Sequence, residues 1–163
     1  MGQEFLEDKL WSDDEKDHPG HLIWWDGLTS DPPRADFLRF VQDLVALRRR
    51  EPALTGEGTA VTRVNSYDRV LVVQRWVADG GPGEDVVAVV SFDEQPKYGY
   101  AIGLPRGGVW RELFNSDVYE GSPNPAPVGN GGSVFAGGPG LDGFGQSARL
   151  AIPPNGALFL KAA

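Results

Sequence analysis

From about residue 59 onward the chain is a succession of short β-branched and aromatic runs parted by Gly, Pro and Asn. That pattern restricts it to strands joined by turns. Arg69-Val-Leu-Val-Val-Gln-Arg-Trp-Val77 and Asp85-Val-Val-Ala-Val-Val-Ser-Phe92 are the clearest runs, and Asp79-Gly-Gly-Pro-Gly-Glu84 between them predicts a hairpin. Further short strands are expected at Ala60–Val64, Tyr98–Ile102, Trp110–Phe114, Ser147–Ile152 and Ala157–Lys161. About seven short strands with no helical pattern between them predict an antiparallel, Greek-key-like β-sandwich over residues 56–163.

Upstream the pattern changes period. Phe37, Phe40, Val41, Leu44, Val45 and Leu47 recur at spacings of three and four, which draws one apolar stripe along a helix. Asp31 is placed to cap it, Pro32 and Pro33 suit its first turn, and Glu51-Pro52 stops it. Arg48-Arg49-Arg50 fall in its last turn, where cations complement the helix dipole. Burying one large side chain contributes about 1.5–3 kcal/mol, so the stripe represents on the order of 10 kcal/mol in search of a surface. One flank of a sandwich can take part of it. The simpler expectation is that Phe37, Phe40, Val41 and Leu44 pack on a larger body outside this chain. Residues 1–31 are acidic, aromatic and irregular, so residues 1–55 are expected to form a unit apart from the sandwich.

Composition removes several function classes. Net charge is −8, which disfavours nucleic acid, whose phosphates require a Lys/Arg surface. There is no cysteine, hence no disulfide or thiol chemistry. No apolar run reaches signal-peptide or membrane-spanning length, and the chain reads as soluble and cytoplasmic. His18 and His21 are separated by Pro19-Gly20, which forbids a helical ligand pair, and no third His or Cys exists to complete a zinc site. Asp13-Asp14-Glu15-Lys16-Asp17 lacks the spaced oxygen ligands and Gly of a calcium loop. Gly138-Pro-Gly-Leu-Asp-Gly143 spells a dinucleotide fingerprint but contains Pro and precedes no helix, so it is a loop. No metal and no cofactor is expected.

Four collinear segments carry a resemblance. They are Met1-Gly-Gln-Glu-Phe5 running to Trp11, and His18-Pro-Gly-His-Leu-Ile-Trp-Trp-Asp-Gly27. The third is Leu47-Arg-Arg-Arg-Glu-Pro-Ala-Leu54, and the last is Leu113-Phe-Asn-Ser-Asp-Val-Tyr-Glu-Gly121 with Val128-Gly-Asn-Gly-Gly132. Together they resemble the end of the catalytic barrel and the C-terminal β domain of α-glucan branching enzymes of the α-amylase superfamily. Between Gly121 and Val128 the Pro-rich Ser122–Pro127 departs from that pattern. The resemblance implies that residues 1–55 are the last strand-to-helix loop and final helix of a (β/α) barrel, and that Met1 is an internal methionine of a longer enzyme. The partner packing on the helix is then the rest of the barrel, and the substrate an α-glucan cleaved at α-1,4 and rejoined at α-1,6 by retaining chemistry. The family's catalytic carboxylates lie on earlier strands. No position here matches them, so no catalytic residue is assigned.

The resemblance leaves three candidate substrate contacts. Trp11 and Trp25 offer aromatic faces suited to the apolar side of a glucose ring, in the loop that would border the barrel's site. Glu4 either organises that loop by hydrogen bonds or makes a polar contact with glucan. Glu4 and Glu7, three apart on one segment, cannot flank a sugar as retaining chemistry requires. Trp24, Trp76 and Trp110 are expected in cores. Two other readings remain: the same portion of a related hydrolase such as a maltooligosyltrehalose trehalohydrolase, or a stand-alone glucan-binding or interaction module docking through Phe37–Leu47.

Overall fold

The computed structural model describes residues 2–9, 22–79, 84–119 and 124–163. Among these residues a 3-10 turn, Gln3–Phe5, precedes three helices: α1 (Gly27–Ser30), α2 (Pro32–Arg50) and α3 (Pro52–Thr55). Eight strands follow: β1 (Gly58–Asn65), β2 (Val70–Trp76), β3 (Val86–Ser91), β4 (Lys97–Leu104), β5 (Gly108–Asn115), β6 (Ser133–Ala136), β7 (Gln146–Ile152) and β8 (Ala157–Ala162). A six-stranded sheet in the order β1-β2-β3-β8-β5-β6 faces a two-stranded sheet of β4 and β7, and every pairing is antiparallel. The last strand inserts between β3 and β5, as in a Greek key. The expected sandwich is therefore the observed one.

Its core lies between the sheets, where Val72, Val89, Ile102, Trp110, Ile152 and Leu158 are fully buried. Trp110 fills the centre, and its indole N–H donates to the Arg106 carbonyl at 3.0 Å, so burial leaves no orphan donor. Trp76 is only half-buried and lies against Gly58. Strand β3 explains its own sequence. Val87 and Val89 face this core while Val86 faces a second one, so the run Val86-Val-Ala-Val-Val90 has no polar alternation because both faces of the sheet are covered.

That second core corrects the expectation for the helix. Leu47, Ala53 and Leu54 bury against Val86 and Phe114, with Phe40, Leu44, Tyr119 and Phe159 packed around them. The rings of Phe40, Phe114 and Tyr119 stand 5.4–5.6 Å apart, and Phe159 meets Phe114 edge-on at 5.7 Å. The sandwich's own outer face thus takes the Phe40–Leu44–Leu47 side of α2. Phe37 and Val41 stay half-buried and Val45 exposed, one flank further round the helix. The helix bounds match expectation, but Asp31 does not cap with its side chain. Its carboxylate accepts from Arg34 Nε at 3.2 Å instead. At the other end Glu51, buried, receives Lys161 Nζ from β8 at 2.9 Å, which fastens the helix terminus to the sheet. That hydrogen bond is the main cause raising the Lys161 pKa. No described helix is long and apolar enough to cross a membrane.

Candidate functional site

Of the residues singled out for substrate contact, Trp25 is placed by Phe5, where the Gln3–Phe5 turn lies along α2. Phe5 is 1% exposed, and its ring sits 5.4 Å from that of Trp25, tilted by 37°. Trp25 rests on this buried ring with 61% of its surface open to solvent. Trp24 was expected in a core and is instead 46% exposed, with the Arg34 guanidinium 5.2 Å over its ring. The correction has a local cause: Trp24 and Trp25 precede a turn into α1, held by Thr29 Oγ1 and Ser30 Oγ donating to the Asp26 carbonyl. Consecutive residues at such a corner have no interior to enter.

Arg34, at the start of α2, ties the segment down. It donates to the Leu6 carbonyl at 2.6 Å, to Asp8 at 3.1 Å and to Asp31 at 3.2 Å. The Asp8 hydrogen bond is the chief reason its pKa rises above the ordinary value. The organising glutamate is Glu7, whose Oε2 accepts the Trp24 backbone N–H at 2.9 Å. Glu4 is exposed and makes no side-chain hydrogen bond among the described residues. Glu4 adjoins Phe5, the residue beneath Trp25, and both Glu4 and Trp25 are open to solvent. Trp11 lies outside the described residues, as do His18, His21 and the Asp13–Asp17 run. Sequence reasoning missed Phe5 and Arg34, because the partners that tie the N-terminal segment down (Trp25 for Phe5, Leu6 and Asp8 for Arg34) are far off in the chain and no spacing announces them.

Beside this segment a cavity of about 840 Å³ runs between the start of α2 and the sandwich. Leu6, Pro32, Phe37, Phe40, Tyr119 and Pro154 give it apolar walls, and Asp36 and Glu94 give it an acidic rim.

The last of the four resemblance segments proves to be a hydrogen-bonded staple. Asn115 Nδ2 donates to the Val128 carbonyl at 2.9 Å, and Asp117 Oδ2 accepts the Val128 N–H at 2.7 Å. Glu112 Oε2 accepts from both the backbone and side-chain nitrogens of Asn130. Asn130 in turn pairs with both backbone groups of Ala151 on β7, at 2.8 and 3.1 Å, as a neighbouring strand residue would. These polar side chains hold the 124–132 loop across the sandwich edge, where backbone groups would otherwise lack partners. Among the described residues no group of three or more metal-ligating side chains converges.

Comparison with known families places this architecture. The model of the α-amylase C-terminal all-β domain matches residues 61–163. The chain belongs to that family. The α-amylase C-terminal family match starts within β1 and runs through β8. Full-length similarity extends further. The 1,4-α-glucan branching enzyme of Xanthomonas euvesicatoria is 36% identical over 166 residues, covering 98% of this chain and 21% of the relative. That of Thiobacillus denitrificans is 34% identical over 168 residues, covering 99% and 21%, and that of Mycolicibacterium paratuberculosis is 33% identical with the same coverage. The chain thus spans about a fifth of the length of the curated relatives it matches. The resemblance to branching enzymes read from the four segments is borne out. Among solved structures an α-amylase from H. orenii superposes with a TM-score of 0.50 at 15% identity, covering 88% of this chain and 23% of its own, which speaks to the fold alone.

Proposed function

We propose that this chain serves as part of a 1,4-α-glucan branching enzyme, in which it braces the catalytic barrel and forms one edge of the glucan cleft. The carrying observation is similarity to several branching enzymes along 98–99% of the chain, far beyond the β domain alone. On this reading residues 1–55 belong with the barrel and residues 56–163 form the all-β domain. Phe37, Val41 and Val45 are the flank of α2 left to the barrel, since Phe40 and Leu44 are already engaged by the sandwich. The acid-rimmed cavity continues that surface, and its apolar walls suit a docked hydrophobic segment. Glu4, Trp11 and Trp25 face the glucan, with Trp25 held from below by Phe5 as a stacking platform. On this reading the catalytic carboxylates belong to the barrel portion and not to this chain, which transfers nothing alone and works in the cytoplasm with its barrel.

A chimera tests this. The corresponding segment of the Thiobacillus denitrificans branching enzyme is replaced by this chain, and amylose branching is followed by the iodine spectrum. Branching should persist, and Trp25→Ala in the chimera should raise KM for amylose with little change in melting. A soluble, folded chimera without branching activity would refute the proposal.

A further inference from the structure

A second cavity, of about 540 Å³, opens on the two-stranded sheet, away from the residues discussed so far. Its lining includes Ala101, Phe135, Gly138, Gly140, Ala148 and Arg149. We propose that this shelf is a separate α-glucan-binding surface, which takes the apolar face of a glucose ring on Phe135 and glucan hydroxyls on Arg149. The ligand class rests on the branching-enzyme reading above; the place rests on β4, β6 and β7.

Phe135 lies in β6, the edge strand of the six-stranded sheet, and is 69% exposed. Its cross-strand partner Val109 is exposed as well. An apolar pair on an open edge invites mispairing unless the position is used. The ring has a fixed seat. A Cβ on Gly137 would stand 2.5 Å from Phe135 Cε1, so the ring lies directly against that glycine backbone. The neighbouring wall is equally fixed, since the Gly138 N–H donates to the Ser147 carbonyl at 3.0 Å and Ser147 Oγ donates to the Pro139 carbonyl at 2.7 Å. Glycines and alanines along it leave room for a flat ring to approach. The volume falls within the roughly 300–1,000 Å³ of small-molecule sites.

Arg149 supplies the polar half. It is exposed, and its Nη1 donates to the Gly99 carbonyl at 3.0 Å, within a bulge of β4 where Gly99 takes φ 67°. No carboxylate among the described residues pairs with it. The guanidinium is thus oriented by one bond and keeps its remaining donors. One cation on a chain of net charge −8 does not suit a polyanion; lining the same cavity as an aromatic ring, it suits a neutral polyol.

The test uses the whole chain in native gels containing glycogen, together with backbone amide NMR during titration with maltoheptaose. Wild type should be retarded, with Phe135→Ala and Arg149→Ala each weakening binding by about tenfold and Phe135→Tyr retaining it. Maltoheptaose should shift the Gly137–Leu141 and Arg149 amides in the wild type, a readout that needs no variant to fold. Melting of Phe135→Ala reports whether the fold survives. No retardation of wild type, undiminished retardation of both alanine variants, or amide shifts confined to the Phe5–Trp25 segment would overturn the shelf. The branching-enzyme reading is decided separately by the chimera, so the two can fail independently.

Discussion

The docking of α2 on the sandwich rests on one aromatic contact that can be measured. Phe114 is buried in β5 and touches Phe40 at 5.6 Å, Tyr119 at 5.6 Å and Phe159 at 5.7 Å. Removing so buried a ring costs about 3–5 kcal/mol, part transfer and part cavity. Phe40 is half-buried, and its truncation should cost about 2 kcal/mol. Because the two rings meet, the costs should not add. The tilted pair contributes about 1 kcal/mol beyond area, and that coupling is what the double variant Phe40→Ala/Phe114→Ala should recover. The assay is urea unfolding of wild type, both singles and the double. Near the melting midpoint Phe114→Ala should also lower Tm by about 10 °C, at roughly 2–4 °C per kcal/mol for a chain of this length. If the single costs sum to the double within about 0.3–0.5 kcal/mol, the rings are not in contact and the helix does not sit on the sheet. A Phe40→Ala variant as stable as wild type would say the same, and would return the helix to a body outside this chain.

Three further outcomes follow from the geometry. Gly103→Ala should destabilise the fold by about 3 kcal/mol or more, because a Cβ there collides with the Leu141 carbonyl; thermal melting at wild-type Tm would refute the close approach. Asp142 accepts from Arg63 at 2.8–3.1 Å and from the Gly103 N–H at 2.8 Å, so Asp142→Asn should cost about 2 kcal/mol by weakening a largely buried pair, and an unchanged urea midpoint would count against it. Burial, then the 2.7 Å bond to Asp43, pushes the Tyr119 hydroxyl up to about 12. The folded chain keeps that proton where the unfolded one loses it, so stability is full below about pH 10 and falls as pH rises towards 12. Tyr119→Phe should flatten that alkaline decline relative to wild type in pH-dependent unfolding; identical slopes would show the hydroxyl is not held.

How legible was all this from the residues? The seven expected strands are present within two residues or so at either end, because β-branched runs between glycines admit little else. The strand that escaped, β6, is four residues long and flanked by glycines. An edge strand with a single neighbour has no continuous apolar run to announce it. The uninterrupted apolar run of β3 carried a message that period-two reasoning passes over: both faces of its sheet would be covered. One cover is the other sheet, and the second is α2, so the stripe that looked unpartnered had half its partner further along the same chain.

The site was less legible, for a different reason. Tryptophan beside glutamate is a composition, whereas exposure is decided by what lies underneath. Phe5 beneath Trp25, Glu7 on the Trp24 N–H and Arg34 on Leu6 and Asp8 are contacts between residues 17 to 28 apart along irregular backbone, which no periodicity encodes. The same limit explains Asn115, Asp117 and Asn130. Their order served as a family signature, yet their work is to supply hydrogen-bond partners to a loop crossing the sandwich edge. A polar residue whose partner is backbone leaves no complementary residue type to find in the sequence. A signature of that kind can therefore identify a family without marking a single atom of its chemistry, and the functional edge must be sought where aromatic rings are held open to solvent.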